Sequence, residues 1–262
     1  MNTALISLEI AVLVLAFGIL LLDLWLPAEN KRKLGYVAAM GAGAILVASY
    51  FWLPVNATFT VGNIPFHITL PSLGDNIVLD LPALFFKRFF LLAAVIVLLM
   101  SAEFASRIQS GISEFYSLTL IALAGMMFAA SAKDFAMLFV SVELITVTFY
   151  ILTSFERNRV ASLEAGVKYL ILGGLSSAIM VYGIALVFGT SGTMNFTELS
   201  AKAMSLSDQP LFLLDLLLVI CGLAFKIAAF PFQIWAPDVY KARPRPRRPS
   251  SPWVPKPQGS SS

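Results

Sequence analysis

Apolar residues run through this chain in long unbroken blocks, with polar residues confined to the short stretches between them. Neither the strict alternation of a half-buried strand nor the three-and-four spacing of a soluble amphipathic helix dominates. A helix needs about 20 apolar residues to cross a hydrocarbon core of about 30 Å. Blocks of that order lie at Ala4–Leu26, Gly35–Leu53, Leu79–Ser101, Glu114–Ser131, Phe135–Phe155, Ala165–Phe188 and from Leu211 to a broken region near Trp235. The pattern predicts an all-α, polytopic transmembrane bundle of about seven spans. The seventh is predicted to be discontinuous, because Pro231 and Pro237 each remove a backbone donor and push the preceding residue out of the helical region.

Composition agrees with the pattern. Hydrophobic residues make up 58% of the 262, charged residues 13%, and mean hydropathy is +0.84. The single cysteine, Cys221, falls inside a predicted span, which excludes a disulfide framework or a cysteine-ligated cluster. The sole histidine, His67, sits in a loop and reads as a solvated side chain. There is neither a GxGxxG nor a Walker A loop, so nucleotide chemistry has no seat here. Gly41-Ala42-Gly43-Ala44 and Gly173-Gly174 read as sites of close helix packing. The formal charge of +3 sits in loops and in the tail, where membrane topology explains it and nucleic acid does not.

The distribution of those charges gives an orientation. Lys31, Arg32 and Lys33 follow the first block, Arg107 the third, and Arg157 and Arg159 the fifth, while the alternate loops are poorer in basic residues. By the positive-inside rule the N-terminus faces out and the end of the seventh span faces the cytoplasm. Lys87 and Arg88 run against this pattern and are expected to snorkel from the outer end of span three. The first block is too long for a signal h-region and reads as a retained span.

Ionisable residues within spans are functional candidates. Glu143 lies mid-span in LFVSVELITVTFY, Lys226 lies just before the proline break, and Lys168 follows Glu164 by four residues, so that these two meet on one helix face. Glu164 and Lys168 read either as a surface pair at the start of span six or as part of a buried path. Lys226 reads either as a snorkelling lysine or as a proton carrier that a nearby carboxylate switches. The helix break beside it favours the carrier, since irregular backbone at membrane depth is tolerated where it lines a wet cavity.

The run FKIAAFPFQIWAPDVY closely resembles the segment around the seventh span of subunit N of proton-pumping NADH:quinone oxidoreductase, respiratory complex I. EFYSLTLIALAGMMFAASAKDFAMLFVSVELITVTFYIL and SLEAGVKYLILGGLSSAIMVYGIALVFGTSGT extend the resemblance over about Phe85 to Tyr240. It implies an antiporter-like fold of 14 spans in two inverted repeats, of which residues 1–240 are the first half. It also implies a charged axis on which Glu143, Lys168 and Lys226 fall as proton-translocating groups, with water access near Pro231, Gln233 and Pro237. Gln233 stands where the family usually has histidine, and glutamine does not titrate near neutral pH as histidine does. The resemblance implies no redox cofactor in this subunit, NADH, FMN, iron–sulfur clusters and quinone belonging to the complex as a whole. Implied partners are the other membrane-arm subunits and the lipid bilayer, in the inner (plasma) membrane. Two rival readings remain, a subunit of a multi-subunit cation/proton antiporter and a truncated, non-functional remnant.

From about residue 241 the composition turns abruptly basic and proline-rich, KARPRPRRPSSPWVPKPQGSSS. The family pattern there is a variable residue followed by GAPTP. One base lost from AAG GGC GCG CCC ACG CCC yields the sequence Lys241 to Pro246 as it stands, so residues 241–262 are expected to be out of frame and disordered. The alternative is a basic juxtamembrane tail that binds anionic lipid.

Overall fold

The computed structural model describes residues 6–27, 31, 33–51, 60–61, 64–65, 76–104, 111–156 and 158–241. His67 and the stretch 242–262, on which the loop and frame expectations rest, lie outside the described residues.

The long apolar blocks become helices because hydrocarbon offers the backbone no hydrogen-bond partners other than its own. They are α1 (Ser7–Trp25), α2 (Lys33–Phe51), α3 (Leu81–Phe104), α4 (Ile112–Ala130), α5 (Phe135–Thr153) and α6 (Val160–Ser191), all six long and apolar enough to cross a membrane. A short helix, α7 (Phe196–Leu206), was not evident from the apolar blocks. It is followed by α8 (Pro210–Lys226), a 3-10 turn at Gln233–Trp235 and α9 (Ala236–Lys241). Among the described residues the only strands are the two-residue pair β1 (Thr60–Val61) and β2 (Ile64–Pro65). The expected all-α membrane bundle is what the chain forms.

The helices pack as two units. Helices α1 to α4 surround a core that includes Val12, Ile19, Leu34, Leu91, Leu98, Tyr116, Leu120 and Met127, and Ser117 ties α4 to α1 by donating 3.0 Å to the Ala16 carbonyl. Helix α5 bridges this unit to a second one, in which α6 packs along α8 over Met180, Ile184, Val187 and Val219. The α6–α8 approach is close because glycines stand at the crossing. A Cβ on Gly183 would meet the Val219 backbone at 2.8 Å, and one on Gly222 would meet the Met180 Cα at 2.9 Å. At one end of the bundle three connections zip together through backbone bonds, Val78 to Ser131, Lys133 to Asn76, Phe135 to Met194 and Phe196 to Lys133. Asp134 then caps α5, accepting from the Met137 N–H at 2.6 Å, and Asn195 caps α7.

Two expectations need correction. Lys87 does not snorkel. Its side chain is fully buried, with Nζ 2.7 Å from Oε1 of Glu9, itself fully buried on α1. Seventy-eight residues separate the two in sequence, so no local pattern announced the pair. Arg88 beside it is also engaged, donating to the Ser49 carbonyl at 2.8 Å near the end of α2 and lying 4.0 Å over the Tyr50 ring. The second correction concerns the break in span seven, which begins at Ile227, four residues before the first proline.

Candidate functional site

The way α8 ends sets the site. Ala228 takes a left-handed conformation (φ 52°), its N–H bonds the Phe225 carbonyl and the N–H of Ala229 bonds the Ala224 carbonyl. This is the Schellman closure, usually built on glycine, here on alanine. Lys226 is therefore the last helical residue, at the end where unsatisfied carbonyls carry partial negative charge. The chain then turns through a cis Phe230–Pro231 bond into the 3-10 turn. Trp235 folds back so that its indole N–H donates 3.0 Å to the Phe225 carbonyl, a second bond to an acceptor that the Ala228 N–H already reaches.

Lys226 meets two groups from other helices. Its Nζ donates to Oε1 of Glu143 at 2.8 Å and to Oγ of Ser177 at 2.7 Å, and the Ser177 hydroxyl lies 2.7 Å from the same Glu143 oxygen. The three form a closed triangle between α5, α6 and α8. Glu143 is the ninth of nineteen residues in α5 and Ser177 the eighteenth of thirty-two in α6, so the triangle joins the middles of these two helices to the end of α8. The Lys226 side chain is 7% exposed and that of Glu143 25%. Mid-span acid and pre-break lysine, each conspicuous alone in the sequence, thus share one ion pair. Ser177 was missed, since a hydroxyl in an apolar helix is usually spent on the backbone; the pair Ser176-Ser177 beside Gly173-Gly174 was the available hint.

Lys168 occupies a different place. Its Nζ lies 2.7 Å from Oε1 of Glu164, and both side chains are half exposed or more. Nine residues separate it from Ser177 along α6, about 14 Å of rise. Helix α6 has 32 residues, about 48 Å, so it overruns the hydrocarbon core and its first turns reach a membrane surface. Pro231, Gln233 and Pro237 are exposed at the surface of the broken segment. An aromatic group braces that segment against α5 and α6. Trp235 stacks on Tyr169 (4.3 Å between centroids, 12° between planes), and Tyr169 meets Tyr150 edge-on (4.7 Å, 87°).

Six helices able to cross a membrane and an acid–lysine pair held between three helices by a hydroxyl define a polytopic membrane protein with an ionisable cluster inside its bundle. A family model described as NADH:quinone oxidoreductase/Mrp antiporter, TM, matches residues 132–247, the stretch that supplies all three corners of the triangle. NADH-quinone oxidoreductase subunit N of Moorella thermoacetica is 34% identical over 245 residues, 94% of this chain and 48% of that protein. A chain of respiratory complex I from Thermus thermophilus superposes with a TM-score of 0.66 at 28% identity, over 89% of this chain and 47% of its own. A chain of the Mrp complex from Dietzia sp. matches with a TM-score of 0.65 at 24% identity, which shows a shared fold. Residues 132–247 match this antiporter-like family, and the chain over nearly all its length is similar to subunit N, as the FKIAAFPFQIWAPDVY run implied. It spans about half the length of the curated relatives it matches.

Proposed function

We propose that the chain serves in the membrane arm of a proton-pumping NADH:quinone oxidoreductase, where it couples electron transfer elsewhere in the complex to proton movement through the membrane. The observation that carries the reading is the Glu143–Ser177–Lys226 triangle at the broken end of α8. An ammonium beside a carboxylate is stabilised in its charged form, and removing the carboxylate's charge removes that stabilisation. A shift of Glu143 away from Lys226, or its neutralisation from a neighbouring subunit, would release the Lys226 proton; the return of the charge would draw one back. Ser177 bridges both groups and can pass a proton between them, since a hydroxyl both donates and accepts. Lys168 with Glu164 would modulate this unit from the end of α6, by field and not by contact. NADH, FMN, iron–sulfur clusters and quinone would reside in other subunits, which with lipid are the partners of this one. The setting would be the inner (plasma) membrane, with the N-terminus outside and the broken segment on the cytoplasmic side, as the basic loops suggest.

The family description also names Mrp antiporters, which favours as a second reading a subunit of a cation/proton antiporter. Membranes carrying the assembled complex separate the two. Proton uptake driven by NADH, independent of sodium and lost in Lys226→Ala, supports the first reading. Uptake that needs a sodium gradient and ignores NADH supports the second.

A further inference from the structure

One phenol in the α5–α6 interface has no evident use. Tyr150 is 7% exposed, and its hydroxyl is buried without a hydrogen-bond partner among the described residues. A buried, unpaired hydroxyl is destabilising, a cost that phenylalanine at the same place would not carry. Packing therefore does not explain why this ring bears an oxygen.

The position of that oxygen does. On α6, Tyr169, Gly173 and Ser177 follow one another at four-residue steps and lie on one face. The Tyr150 hydroxyl is seated against Gly173, where an added Cβ would come within 2.7 Å of the phenol Cζ. The Gly173 carbonyl lies 2.9 Å from the Ser177 hydroxyl, which is also 2.7 Å from Glu143. A serine has one hydroxyl proton, so Ser177 can direct it to Glu143 or toward Gly173, not to both at once. Tyr150 thus stands one helical turn from the triangle, on the side toward the broken segment, and its ring leads through Tyr169 to Trp235. Glycine at 173 makes the space for the phenol.

We infer that Tyr150 is a proton-relay residue, placing its hydroxyl between the Glu143–Ser177–Lys226 triangle and the face of the protein that bears the broken segment. The step balances with water as the co-reactant on each side: a hydronium on the triangle side gives a proton to the phenol oxygen as the phenol's own O–H proton passes to a water on the side of the broken segment, and the ring ends as it began. This deepens the proposed function and rests on it.

Tyr150→Phe tests the inference in membranes carrying the assembled complex, because it keeps the ring, its volume and its edge contact with Tyr169. The expected result is a loss of about tenfold or more in NADH-driven proton uptake, below the hundredfold or more that positioned proton-transfer groups commonly contribute. Assembly should be intact and thermal stability at or above the parent level, since the unpaired hydroxyl is gone, and the solvent deuterium isotope effect on uptake should rise as proton transfer becomes the slow step. Gly173→Ala, which crowds the hydroxyl from its seat, should reproduce the loss. Undiminished uptake in Tyr150→Phe, or a loss with an unchanged isotope effect, overturns the relay. Lys226→Ala run in parallel keeps the two levels apart: if it abolishes uptake while Tyr150→Phe does not, the relay alone fails, and if it too leaves uptake intact, the proposed function fails with it.

Discussion

Glu9 and Lys87 offer a sharp test of the packing, because both side chains are fully buried and 2.7 Å apart. At that separation and an effective dielectric near 20, the attraction is about 6 kcal/mol. Taking each ion out of water costs several kcal/mol, so the pair about breaks even against an apolar replacement. The second carboxylate oxygen, Oε2 of Glu9, also lacks a hydrogen-bond partner among the described residues, which weakens the pair further. Glu9→Leu or Lys87→Met alone breaks a fully buried ion pair, and each should cost about 3–5 kcal/mol. The double variant should recover nearly all of it and end near neutral or more stable. The assay is reversible unfolding in mixed detergent micelles, read as a double-mutant cycle with a coupling of several kcal/mol. Additive effects, with each single change costing less than about 1 kcal/mol, would show that these charges are hydrated and refute the buried pair.

Other outcomes follow from the triangle and the break. Ser177→Ala deletes the bridge but leaves Lys226 and Glu143 in direct contact, so proton uptake should slow by about tenfold with assembly intact, a cut smaller than loss of a full acid–base group. Ala228→Gly relieves a left-handed alanine and should raise unfolding stability by about 1 kcal/mol, seen as a higher midpoint in the same detergent titration. Replacing Glu143 and Lys226 together by apolar residues should leave the fold standing, as at Glu9 and Lys87, yet stop proton uptake. That contrast separates a charge pair kept for packing from one kept for transport.

Much of the fold was legible because a spanning helix leaves a plain signature: the six apolar blocks from Ala4 to Phe188 lie within a few residues of α1 to α6. Helix α7 escaped because it is short and amphipathic, although Asn195 three residues before Glu198 is a usable start signal. The end of α8 escaped for another reason. Helix stops are read from glycine and proline, and the Schellman closure here is carried by Ala228, upstream of both prolines. At the site, Glu143 and Lys226 were legible one by one, since a charge inside an apolar block is conspicuous. That they touch, that Ser177 joins them, and that Lys87 turns inward to Glu9 depend on helix-to-helix register across 34 to 83 residues. Local pattern carries no information at that range.

The central claim is that Lys226, held by Glu143 and Ser177, carries a proton. The most direct test is NADH-driven acidification of inverted membrane vesicles bearing the assembled complex with Lys226→Met, a change that shortens the side chain by one heavy atom and removes its ionisable group. Acidification is expected to fall to background while the complex still assembles. Acidification at the parent rate would contradict it.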